Sequence, residues 1–213
     1  MTRTHHAIPA ALRRFALVAA ACGACASLWA QARPETGLLL DARTWQEEVV
    51  SASTGAWPAD GWYRIQQRER QVEVRAVRTS DRDPDAAAAD ALYFRLPGTS
   101  LKTGLRAAYR HPAILQQPAI GKDYELALGT ARFGLRVDQG TQGTQYVIRY
   151  GGQTYSYLLG APDAHTGVRA VADLDGDQQP DFLVEVDDAT FLLLSTRARP
   201  GHNVPTAELA GGC

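Results

Sequence analysis

Past residue 33 the chain alternates apolar and polar residues over short runs separated by Gly, Pro, Asp and Thr, the period expected of half-buried strands. In "RQVEVRAV", Val72, Val74 and Ala76 fall on one face and Glu73 and Arg75 on the other. "DYELALGTARFGLRV" reads as two strands around Gly129-Thr130, and "YVIRYGGQTYSYLL" as two more around Gly151-Gly152, a pair suited to the positive φ angles of a two-residue hairpin. "DFLVEV" and "ATFLLLS" supply the last strands. About ten such runs predict an all-β fold, an antiparallel sandwich or barrel-like domain with little helix.

Helical signals are sparse. "DARTWQEEVVSA" fits a short helix, while "DPDAAAADAL" fits either a helix or a loop within one domain. No fixed period recurs, so the pattern does not support a complete propeller or solenoid. "LPGTS", residues 96–100, lacks the final glycine and the apolar tail of a cell-wall sorting signal and reads as a turn.

The first 32 residues follow another grammar. "MTRTHHAIPAALRR" carries three arginines and no acid, and "FALVAAACGACASLWAQA" is apolar and ends in small residues. This is the layout of a secretory leader cleaved after Ala32, which predicts a periplasmic or extracellular protein. The apolar run is shorter than the roughly 20 residues that span a bilayer, so a membrane-spanning anchor is not expected. Neither Cys22 nor Cys25 has a bulky aliphatic residue three places before it, which argues against a lipid anchor. Arg13-Arg14 fits a twin-arginine signal poorly, leaving the general export route.

Cleavage would leave residues 33–213, a single domain of 213 − 32 = 181 residues, with 22 − 3 = 19 basic and 23 acidic side chains, a formal charge of −4. That balance gives no electrostatic reason to expect nucleic acid as a partner. Only Cys213 of the three cysteines would remain, so no internal disulfide is available and the fold must rest on its core, with a metal as the possible aid. A chain of this size buries roughly 70% of its unfolded surface, enough for one core.

One stretch carries candidate chemistry. In "ADLDGDQQPDFLVEV", Asp173, Asp175, Asp177 and Asp181 occupy positions 1, 3, 5 and 9 of a loop. Alternate side chains of a curved segment converge, and a hard cation takes six to eight oxygens. Gly176 permits the turn, and Gln179 stands at position 7, where such loops offer a backbone carbonyl. Seven acids and no base lie between Asp173 and Asp188, so the charge must be met by a divalent ion or by a basic group from elsewhere. Oxygen-only ligands favour calcium over zinc, and magnesium prefers to keep its waters. The competing reading is a solvated Asp-rich turn. An EF-hand is excluded, because its positions 6 and 12 hold Gln178 and Val184 here.

"VADLDGDQQPDFLVEV" resembles the calcium loop of FG-GAP repeats, also called integrin-type or VCBS-like, whose pattern is Asp-x-Asp/Asn-Gly-Asp-Gly-x-x-Asp between two strands. "LLGAPDA", residues 158–164, is similar to the Gly-Ala-Pro element of those repeats. The resemblance covers residues 158–195 and implies calcium held by Asp173, Asp175, Asp177, Asp181 and the Gln179 carbonyl, in a calcium-loop hairpin over 173–195. Gln178 departs from the pattern, which has glycine there, and this chain has a single copy.

Catalytic motifs are absent from the sequence. His111, His165 and His202 are far apart, and Ser156 lies in a strand rather than a Gly-x-Ser-x-Gly elbow. Trp57 and Trp62 flank "PADG" as candidate contacts for a protein or glycan, and Tyr146, Tyr150, Tyr155 and Tyr157 surround one hairpin, where some rings must face the core. The expectation is an exported, calcium-stabilised binding or envelope structural module, more binder than enzyme. Its rival is a secreted hydrolase whose site only the fold assembles.

Overall fold

Runs that alternate should leave one sheet face wet, and runs that do not should be covered on both sides. The computed structural model, which describes residues 36–52, 55–81 and 90–209, follows this rule. The expected leader with its expected cleavage site, Cys213 and most of the alanine-rich 83–92 segment lie outside the described residues.

Fourteen strands form two sheets. The larger comprises β1 (Gly37–Asp41), β2 (Trp62–Arg68), β3 (Gln71–Val77), β4 (Leu92–Arg95), β5 (Gly104–Ala107), β10 (Thr166–Ala172), β11 (Asp181–Val186), β12 (Ala189–Leu193) and β14 (Ala207–Leu209). Its order is β10-β11-β12-β14-β1-β4-β2-β3-β5. The two end strands meet again: Ala108 bridges Ala172, Tyr109 N–H donates to Val171 O at 2.9 Å, and Lys102 N–H donates to Leu174 O at 2.8 Å. The sheet thus curls into a nearly closed barrel whose seam lies between β5 and β10. The second sheet is β13-β9-β8-β7-β6, with β6 (Tyr124–Leu128), β7 (Ala131–Gly140), β8 (Gly143–Tyr150), β9 (Gln153–Gly160) and β13 (Gly201–Asn203).

Three apolar clusters hold these layers. Inside the barrel lie Leu39, Ile65, Val72, Val74, Phe94, Leu183 and Leu192 among others. Between the second sheet and β10–β12 lie Phe133, Leu135, Ile148, Phe182, Val184 and Phe191. β11 and β12 therefore serve two cores, Phe182 and Val184 on one side and Leu183 on the other, which explains the unbroken apolar runs. Each such fully buried side chain contributes about 1.5–3 kcal/mol. Tyr146 ties the layers with a polar link, its hydroxyl donating to Gly167 O at 3.0 Å and lying 3.2 Å from Glu185 O.

The third cluster sits under helix α1, an α-turn over Ala42–Thr44 that continues with π-helical pairing over Trp45–Val50. Asp41 caps it, accepting from Thr44 N–H at 2.6 Å. Trp45 stacks on Tyr93 at 4.4 Å.

The hairpins form where the sequence places them. Gly129-Thr130 joins β6 to β7, and Gly151 (φ 56) with Gly152 (φ 74) joins β8 to β9. Pro97-Gly98 makes the turn in "LPGTS". Two features differ from expectation. The strands number fourteen rather than about ten, because β1, β5, β13 and β14 are only three to five residues long, too short to show alternation. The pairings β1–β14 and β9–β13 are parallel.

Candidate metal centre at the aspartate loop

The aspartate segment is the connection from β10 to β11, at the barrel seam. Asp173, Asp175 and Asp177 each offer a carboxylate oxygen, and these three oxygens lie within 4.8 Å of one another. The backbone needed for this curl is present: Gly176 has φ 86 and Gln178 has φ 69. Gln178 thus adopts the left-handed conformation despite its Cβ, a cost of roughly 1–2 kcal/mol. The left-handed φ favours glycine at 176, and a Cβ there would lie 2.6 Å from Cδ of the flexible Lys102 side chain, which would have to shift.

The loop organises itself through donors. Gly176 N–H donates to Asp173 Oδ1 at 2.7 Å, Asp177 N–H to Asp175 Oδ1 at 3.2 Å, and Gln179 N–H to Asp177 Oδ1 at 2.7 Å. Arg106 on β5 donates to Asp173 Oδ2 at 3.0 Å and to the Asp173 carbonyl at 2.8 Å. Thr196 Oγ1 donates to Asp175 Oδ2 at 2.6 Å, and Ser195 Oγ lies 2.9 Å from Asp177 Oδ2. Each of these six carboxylate oxygens therefore carries one hydrogen bond among the described residues. A carboxylate oxygen has about two lone-pair sites, so each keeps one free. Burial, then the Asp177 and Asp173 charges, hold the Asp175 carboxyl above its ordinary range, against the pull of Thr196.

Asp181 is different. It is 1% exposed, and Oδ2 accepts from Leu174 N–H at 2.6 Å and Asp175 N–H at 3.3 Å. Oδ1 accepts from Ser195 N–H at 2.7 Å and lies 2.8 Å from Ser195 Oγ. Ser195 has one hydroxyl proton and two carboxylate neighbours. Both contacts are satisfied together when Asp181 is protonated and donates to Ser195 Oγ, which then donates to Asp177. Burial first, and the Asp175 charge next, raise the Asp181 carboxyl well above its ordinary range, consistent with that arrangement. With all its lone pairs engaged, Asp181 positions the loop and is not one of the three convergent oxygens. Among the described residues the Gln179 carbonyl accepts no hydrogen bond.

Arg106, Ser195 and Thr196 were not visible as partners in the sequence. The β11–β12 register, with Phe182 opposite Leu193, is what brings Ser195 beside the end of the loop. Arg106 crosses the seam from 67 residues away and has no local signal.

The remaining candidates are scattered. Trp62 is 1% exposed, with its indole N–H donated to Pro58 O at 2.9 Å, and so has no face for a ligand. Trp57 is half-buried and donates to Glu48 O at 2.8 Å. Tyr146, Tyr150 and Tyr157 are buried, and Tyr155 stacks on Tyr150 at 4.2 Å. His111 packs edge-on against Tyr109, and the His165 backbone N–H donates to Asp187. His202 Nδ1 lies 3.1 Å from Ser156 Oγ, which is also 3.2 Å from Gly201 O. No carboxylate is hydrogen-bonded to His202 among the described residues. No described helix is long and apolar enough to cross a membrane.

Comparison with known protein families, curated proteins and solved structures finds no match to this chain.

Proposed function

We propose that this chain is an exported all-β protein, a binding or envelope structural module stabilised by calcium at the aspartate loop. The observation that carries the reading is the convergence of Asp173, Asp175 and Asp177 within 4.8 Å, each oxygen keeping a free acceptor site. The donor set fits a hard cation: it is all oxygen, partly buried, and under mutual repulsion that, among the described residues, Arg106 relieves at Asp173. The likeness of the loop to FG-GAP repeats adds the Gln179 carbonyl to that donor set. The leader-like N-terminus and the likeness of the loop to FG-GAP repeats support the same reading. The partner is an exported protein or a glycan rather than nucleic acid, and Trp57 is the aromatic left for such a contact.

Extracellular calcium modules bind at roughly 10⁻⁴–10⁻³ M. Calcium at ten times its dissociation constant then adds about 1.4 kcal/mol to stability. Thermal melts in calcium and in chelator test this. The melting temperature is expected to rise with calcium in the wild type and to stay fixed in Asp175→Ala; a wild-type melt indifferent to chelation contradicts the reading.

The Ser156–His202 contact favours a second reading, a hydrolase. With His202 unprotonated at Nδ1, Ser156 Oγ can pass its proton there as its oxygen adds to an acyl carbonyl, whose π pair moves onto the carbonyl oxygen; re-forming the carbonyl then expels the leaving group, which takes the proton from His202. Labelling by a fluorophosphonate probe that is lost in both Ser156→Ala and His202→Gln supports this reading, and absence of labelling removes it.

A further inference from the structure

Away from the aspartate loop, the β2–β3 turn and the segment following β5 enclose an open cleft of about 860 Å³ lined by Arg68, Arg70 and Arg110, with Glu69 at its rim. The volume lies within the roughly 300–1,000 Å³ typical of small-molecule sites. Its charge opposes that of the molecule. Arg68 and Arg75 share Glu73, at 3.1 and 2.7 Å, while Arg70 and Arg110 form no ion pair among the described residues. Among the residues that line the cleft, Arg68, Arg70 and Arg110 against Glu69 give 3 − 1 = +2, in a chain whose total is −1.

The turn that carries the rim is strained. Glu69 has φ 38, a left-handed conformation that a side chain with a Cβ adopts at a cost. Such strain persists where surrounding structure or function maintains it. A guanidinium presents a planar fork of donors matched to oxyanions.

We propose that this cleft binds a tetrahedral dianion, phosphate or sulfate, free or as the terminal group of a small molecule. Arg70 and Arg110 supply the uncompensated donors, Arg68 adds a third cation steadied by Glu73, and Glu69 limits affinity by repulsion.

The test is calorimetric titration of the full chain in metal-free buffer with sodium phosphate, sodium sulfate and a hexose 6-phosphate, against sodium chloride at matched ionic strength. Saturable binding of the dianions is expected, weakened about tenfold in Arg70→Gln and in Arg110→Gln and tightened in Glu69→Gln. Tighter binding of the ester assigns the group to a carrier molecule, and equal binding assigns the free ion. All three positions are exposed, and far-UV circular dichroism verifies that each variant is folded. Heats indistinguishable from chloride overturn the proposal, as do arginine variants that bind like the wild type. Should one arginine variant misfold, the Glu69→Gln titration decides alone: unchanged or weaker binding there also overturns it.

Discussion

Asp175 and Asp181 stand six residues apart and have opposite environments. Asp175 keeps free acceptor sites toward its neighbours, whereas Asp181 is saturated by Leu174, Asp175 and Ser195. Their amide isosteres should separate the two roles. Asp181→Asn leaves Ser195 N–H facing an amide donor and is expected to cost about 1–3 kcal/mol while retaining the calcium increment in melting temperature. Asp175→Asn is expected to spare metal-free stability and abolish the increment. The same pair sets a pH dependence. Both carboxyls are raised in the fold, so the folded state holds protons more tightly than the unfolded one. The contribution of this pair to metal-free stability is therefore greatest below the unfolded carboxyl pKa of about 4 and declines as pH rises through the raised values, opposite in sign to that of the lowered Glu73 and Asp123 carboxyls. Protons compete with calcium for Asp175, so the calcium increment should grow over that rise. Melts between about pH 4 and about pH 7, with and without calcium, read both trends.

At the scale of elements, β5 and the loop are joined by Arg106, whose guanidinium meets both the carboxylate and the carbonyl of Asp173. Arg106→Ala should lower metal-free stability by about 1–3 kcal/mol, since this charged contact is four-fifths buried, yet tighten calcium binding by freeing Asp173. Denaturant melts and calcium titration of that variant measure the two effects. The elements themselves were largely legible in sequence: the Gly-Gly hairpin, the alternation of β3 through Val72 and Val74 and the doubly covered runs of β11 and β12 all carry local signals, although at the end of β3 Ala76 is exposed and Val77 is buried under helix α1. What escaped was non-local. Strands of three residues such as β13 and β14 are specified by their neighbours, and the parallel pairing of β14 with β1 joins the two ends of the described chain. For the loop, the three convergent aspartates were legible, whereas the saturation of Asp181 depended on Ser195 and the clasp on Asp173 depended on Arg106. The aromatic pair at 57 and 62 read as surface because "PADG" is a turn, but helix α1 and β4 cover Trp62 with Trp45 and Tyr93.

Across the whole molecule, a nine-stranded sheet becomes a barrel only where β5 meets β10, and few backbone hydrogen bonds hold that seam. The aspartate loop continues directly from β10 and is held to β5 by Arg106 and to the segment before β5 by Lys102 N–H. A cation on the loop would stiffen its curl and with it the closure of the barrel. Amide hydrogen exchange at Lys102 and Tyr109, whose N–H groups donate across the seam to Leu174 and Val171, measures this most directly. Calcium is expected to slow exchange at both amides in the wild type and at neither in Asp175→Asn; identical exchange in calcium and in chelator would contradict the account.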